Sequence, residues 1–314
     1  MSERITHIAV AEDCARLVSL DPEFSKTILN CIQKFPEALR LGSVSRSGDK
    51  FILPLLEKWR DDWKNDDLRS EKMSYVLGWS GHLAADRIFK PICRITNLDH
   101  YVEERPSPSN SAIYHDVVTF THVFDLGTEE PFHPHILSYN LSEHSASRYL
   151  PVSKIEKVIS GKMMVDLAQI KTFFPKTEKQ WKEDWKSLNQ EKQSFYVDLD
   201  RYSKAYYNGD AYLINKLIED PNVYNPKNEI IQLVRNIKNK ETPKFSLEEA
   251  LAKAEKQSLY AQALKLGHQF MRADSDFFEK KINIEVASKR HRRGEKHKQK
   301  LQYYIDLVEN QNKK

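Results

Sequence analysis

Apolar positions recur along this chain at spacings of three and four, the period of an amphipathic helix. Val10, Cys14, Leu17 and Val18 follow Thr6, which reads as an N-cap. A second helix is expected from Asp21-Pro22 to about Phe35, and Pro36 starts a short one that closes at Leu41-Gly42-Ser43. Residues 43–50 are polar and read as a loop. Residues 51–64 form an aromatic-rich helix, and 69–95 a long one in which Pro91 marks a kink or an end. A Pro/Ser-rich loop over 103–111 leads to a helix from about Ser111 to Phe124. Residues 128–150 look irregular. Long charged amphipathic helices are then expected over about 151–172, 177–207, 227–239, 246–273 and 275–312. No run of alternating positions suggests a strand series. The pattern predicts an all-α multi-helix bundle, with one domain over 1–150 and a helical C-terminal extension over 151–314.

Composition sharpens this picture. Only 9 glycines occur in 314 residues, which disfavours hairpin-rich architectures. Hydrophobic residues at 40% and charged ones at 30% support a packed core. A net charge of +4 does not by itself imply nucleic acid or membrane binding. No stretch approaches the ~20 apolar residues of a membrane span, and Ile8–Ala11 is too short for a secretory core. Three cysteines, none in a CxxC pair, fit a cytoplasmic, reducing location.

Candidate chemistry concentrates early: 8 of the 11 histidines precede residue 145. His82 and Asp86 are four apart within Gly78-Trp79-Ser80-Gly81-His82-Leu83-Ala84-Ala85-Asp86, so they share a helix face. Their neighbours are small or apolar, which turns the face inward, and Gly78 leaves room beside the imidazole. An inward His and carboxylate suit either a metal ion or a simple buried hydrogen bond. His7 shares a face with Val10, Ala11 and Cys14 and points to the core. Asp49 precedes a helix, where an N-cap role competes with a catalytic or ligand role. His115-Asp116 lies on another helix, with His122 on the same face as His115, and imidazole again suits a transition metal.

Taken together, Thr6-His7 with Ala11-Glu12, Leu41-Gly42-Ser43 with Gly48-Asp49, and the Gly78–Asp86 helix resemble the zinc-dependent phospholipase C family. The resemblance covers about residues 5–125. It implies an all-helical fold and a zinc cluster hydrolysing a phosphodiester or phospholipid. By position it carries metal-ligand roles to His7, Asp49, His82 and Asp86, with Asp49 as the candidate catalytic base. The family's proline before the loop aspartate is Gly48 here, and Lys90-Pro91 stands where it has His-Pro. A glutamate expected four residues after His115 is Thr119, so Asp116 is the substitute carboxylate. The ligands that remain suit one or two zinc ions rather than three. Lys90 is expected to take the place of a missing ion and to bind substrate phosphate as a point cation.

Two other readings stand beside this one. His82 with the later His115-Asp116 pair also resembles the HD phosphohydrolases, which are helical and metal-dependent. A non-catalytic helical interaction protein would keep the fold without turnover. Finally, residues 289–300 hold seven basic residues and one acidic one, and read either as a contact for an anionic surface or as a solvated helix turn.

Overall fold

A computed structural model describes residues 4–44, 51–96, 109–123, 205 and 209–292. Helices account for 75% of these residues and no strand occurs among them, so the fold is all-α. The elements are α1 (Arg4–Val18), α2 (Lys26–Lys34), α3 (Pro36–Ser43), α4 (Ile52–Arg60), α5 (Asp67–Thr96) and α6 (Asn110–Val123). There follow α7 (Ala211–Ile214), whose next turn Asn215–Glu219 is π-helical, then α8 (Glu229–Asn239), α9 (Leu247–Ala254), α10 (Leu259–Phe278) and α11 (Ile284–His291). The boundary expected near 150 lies outside the described residues, as do the helix expected over 151–172 and, except for residue 205, the one expected over 177–207.

Three helices are buried around most of their circumference, as their composition demands. They are α1, α5 through Met73–Gly81, and α10. α5 packs against α1, α2, α3, α4, α6 and α10, and α10 packs against α1 and α4. One hydrophobic cluster therefore joins the early helices to α8, α9 and α10. Buried polar links tie the same helices together. Ser80 on α5 donates to Asp274 on α10 at 2.5 Å. Tyr260 on α10 donates to Asp13 on α1 at 2.7 Å. Arg272 on α10 grips both oxygens of Asp21, just past α1, at 2.8 Å each. Both contacts come from Nη1, so the guanidinium straddles the carboxylate with one nitrogen in a charge-assisted pair.

Helix ends follow local hydrogen bonding and differ in places from the periodicity. α1 starts at Arg4, so Thr6 lies inside it and is not its cap. α2 starts after Ser25, whose hydroxyl accepts from the Ile28 N–H, rather than at Pro22. α5 runs through Pro91 to Thr96 instead of ending there. Pro91 and Arg87, whose carbonyl loses its helical donor, are both only partly buried, so water can replace the lost bond. The single helix expected over 246–273 is two: Ser246 and Glu249 form a capping box on α9, and Ser258 caps α10. The helix expected from 275 divides at Lys280, with φ 60°, and restarts after Asn283, whose side chain accepts from Val286 N–H.

Candidate metal centre

Close helix contact builds this region. A Cβ on Gly81 would lie 2.7 Å from the Ala11 Cβ, so the absence of one lets α1 press directly onto α5. His7 stands one turn before Ala11, and His82 follows Gly81. The contact therefore carries the two imidazoles to each other. Their rings stack with centroids 4.5 Å apart at 26°.

Asp86, one turn after His82, receives both. His7 Nε2 is 3.3 Å from Asp86 Oδ1, and His82 Nε2 is 3.5 Å from Asp86 Oδ2. One ligand atom from each of the three residues lies within 4.8 Å of the other two. The side chains are 5%, 14% and 17% exposed, so the group is sheltered yet reaches the surface. Burial works to raise the Asp86 pKa, but the imidazoles of His7 and His82, which donate to it when protonated, overcome burial and hold the carboxyl well below the usual carboxylate range. Lys90, a further turn along α5, places Nζ 3.2 Å from Asp86 Oδ2.

The other nitrogen of His82 is also engaged. Nδ1 is 2.8 Å from the Ser43 carbonyl oxygen. A carbonyl only accepts, so Nδ1 carries the proton, and in neutral imidazole the Nε2 lone pair then faces the Asp86 carboxylate. Two lone pairs facing each other need either a second proton or a cation between them. A ring nitrogen tied to a backbone carbonyl is also how metal-bound imidazoles are oriented. The donor set thus fits a divalent ion held by His7, His82 and Asp86. Three protein ligands would leave a position for water or substrate, as catalytic zinc sites do.

Gly78 has a different role from the one its position on the stripe implies. A Cβ there would meet the Leu39 carbonyl oxygen at 2.2 Å and the Gly42 Cα at 2.8 Å. The space it leaves is filled by the α3 backbone rather than by the imidazole. Its effect on His82 is indirect, because α3 must come this close for Ser43 to reach the ring.

The remaining expected residues go elsewhere. His115 is fully buried and donates from Nε2 to the Leu217 carbonyl at 3.1 Å, while Nδ1 is 3.7 Å from Cys93 Sγ. Burial pushes its pKa down to about 4. Asp116 is fully buried at the amino end of α1, where it accepts from the N–H groups of Ile5 and Thr6 at 3.3 and 2.9 Å and from the Thr6 hydroxyl at 2.5 Å. Neither belongs to the group around Asp86. His122 stacks on Tyr224, with centroids 5.0 Å apart. Asp49 falls within 45–50, outside the described residues.

Of the basic segment 289–300, only its first four residues are described. Two of them turn inward: Arg290 pairs with Asp276 at 2.6 Å, and His291 Nε2 lies 2.7 Å from Asp274 Oδ1. Lys289 and Arg292 are exposed. No helix among the described residues is long and apolar enough to cross a membrane.

Comparison with protein-family models, curated proteins and solved structures finds no match for this chain.

Proposed function

We propose that the protein is a metal-dependent phosphoesterase of the phospholipase C type, with His7, His82 and Asp86 as ligands of a zinc ion. The observation that carries this reading is the pair of contacts made by His82. Its Nδ1 is fixed on the Ser43 carbonyl, and its Nε2 is aimed at Asp86 beside His7.

A zinc ion held there would supply a Lewis acid for a phosphate oxygen and lower the pKa of a bound water. The chain's own groups do the rest. Ser43 holds the His82 ring in one tautomer. Asp86 keeps its negative charge and gathers two imidazoles and one ammonium. Lys90, 31% exposed, carries a compact positive charge that can reach outward to a substrate phosphate. Asp49, six positions beyond Ser43 in sequence, is assigned the role of general base in this reading. None of the three buried cysteines is in a disulfide, which favours a reducing compartment such as the cytoplasm. Exposed Lys289 and Arg292, with the basic residues that follow them in sequence, are assigned to contact with an anionic surface.

The HD-type alternative is less well supported. His115 bonds to the Leu217 carbonyl and Asp116 accepts from the Thr6 N–H on α1, so the pair is spent on two different segments. The deciding experiment is elemental analysis of protein purified without added metal, paired with turnover of bis(p-nitrophenyl) phosphate. Near-stoichiometric zinc and metal-dependent turnover are expected. Zinc without turnover would leave a non-catalytic metal protein, and no metal would remove the reading altogether.

A further inference from the structure

Asp116 lies on α6, yet its carboxylate is spent on the first turn of α1. The leading N–H groups of a helix have no partner within it, and they carry the positive end of its dipole. Asp116 takes two of them, from Ile5 and Thr6, and also the Thr6 hydroxyl. The Thr6 hydroxyl lies 3.3 Å from that of Thr119, which in turn donates to the His115 carbonyl at 2.8 Å. α1 is therefore clamped to α6 at the residue immediately before His7.

That placement has consequences for the imidazole. Successive helical residues are ~100° apart in azimuth and ~1.5 Å apart in rise. A small rotation or slip of the first turn would move His7 Nε2 away from Asp86, and ligand distances tolerate only about 0.2 Å. The Ala11–Gly81 contact fixes α1 one turn later, but it cannot fix the end of the helix beyond His7.

We propose that Asp116 is a positioning residue for the metal centre: by capping α1 through Thr6 it sets the orientation of His7 and so the affinity and geometry of the ion. The inference rests on the metal reading above, and it gives Asp116 a role through His7 rather than as a ligand.

The test is cobalt(II) titration of the full chain, reading both affinity and the visible d–d spectrum, which reports ligand geometry. Asp116→Asn keeps the shape but loses the charge and one acceptor oxygen. It is expected to weaken cobalt binding about 10- to 100-fold, the range typical for partners of metal ligands, and to alter the spectrum. Thr6→Val removes only the hydroxyl and should shift affinity the same way by less, which preserves the test if Asp116→Asn folds poorly. Tyr260→Phe is the comparison: it breaks a buried bond to Asp13 on the same helix, away from His7, and should lower thermal stability with cobalt affinity and spectrum unchanged. Wild-type affinity and spectrum in both Asp116→Asn and Thr6→Val would overturn the inference while leaving the metal reading intact. Equal weakening by Tyr260→Phe would also overturn it, since general loosening would then explain the effect. A wild-type protein that binds no cobalt overturns both.

Discussion

His82 donates its Nδ1 proton to the Ser43 carbonyl at 2.8 Å because Gly42 and Gly78 let α3 and α5 touch backbone to backbone. The opposite helix's main chain fills the place where each Cβ would stand: a Cβ on Gly42 would lie 2.0 Å from the Tyr75 carbonyl oxygen, and one on Gly78 2.2 Å from that of Leu39. Those obstacles are main-chain atoms, which no rotamer change can move. Gly78→Ala should therefore cost about 3 kcal/mol of stability, near the top of the range for overpacking. It should also weaken metal binding by pulling Ser43 from His82. Urea unfolding and metal titration check both, and an unchanged unfolding midpoint would show that α3 does not sit this close.

Burial of His115 makes the folded protein sensitive to mild acid. Its folded pKa is about 4, against an ordinary value of 6.5. The unfolded chain thus takes up a proton below pH 6.5 while the folded one resists until about pH 4. Stability is present above 6.5 and is lost as pH falls toward 4. Between pH 6.5 and 5 the loss should reach about 1.5 kcal/mol, since the slope climbs toward 1.36 kcal/mol per unit only as the unfolded imidazole becomes fully protonated. Urea unfolding across that interval measures it. In His115→Gln this part of the slope should vanish, and an identical slope would rule the residue out as its source.

His291 acts in the opposite direction. Burial tends to lower its pKa, but the Asp274 carboxylate beside it prevails and raises it above 6.5. Arg87 opposes this from α5, while Arg290 and Asp276 pair with each other nearby. A raised histidine stabilises fully below 6.5, and its contribution disappears as pH rises through the folded value. The docking of α11 onto α10 should therefore loosen above neutral pH. Amide exchange of residues 284–291, corrected for intrinsic rate, should accelerate more steeply in wild type than in His291→Gln. Parallel profiles would mean that the Asp274 pair does not hold α11.

The sequence made the helical class and the His82–Asp86 pair legible for the same reason, since both follow from spacing along a single helix. His7 joined them through a resemblance, and its inward position followed from Val10, Ala11 and Cys14. What remained hidden depended on other elements. Asp116 looked like a ligand because its type and its neighbour His115 fit one, whereas the first turn of α1, 110 positions away in sequence, claims it. Gly81 carried no signal beyond its small size, although the Ala11 contact it permits brings the two imidazoles together. Arg290 and His291 read as part of a solvated basic run until Asp274 and Asp276 on α10 supplied partners.

Lys90 is where the resemblance and the chain part, and its position makes the two alternatives separable. It does not turn away: Nζ is 3.2 Å from the same Asp86 oxygen that His82 faces. An ammonium in that place competes with a metal ion for Asp86, because like charges repel and the carboxylate is shared. Lys90→Ala should therefore retain metal as well as wild type does, or better. Its activity should fall, since a charge-assisted contact to phosphate contributes roughly 1.5–3 kcal/mol, or about 10- to 100-fold in rate. Lys90→His offers an imidazole one turn after Asp86 and should raise the bound metal per chain. Metal content by elemental analysis and turnover of bis(p-nitrophenyl) phosphate decide the outcome together. Lower activity at undiminished metal would identify Lys90 as the cation that meets the substrate. Unchanged activity in Lys90→Ala would confine the lysine to holding Asp86 in place, and parallel loss of metal and activity would make it a support for the site rather than a contact for substrate.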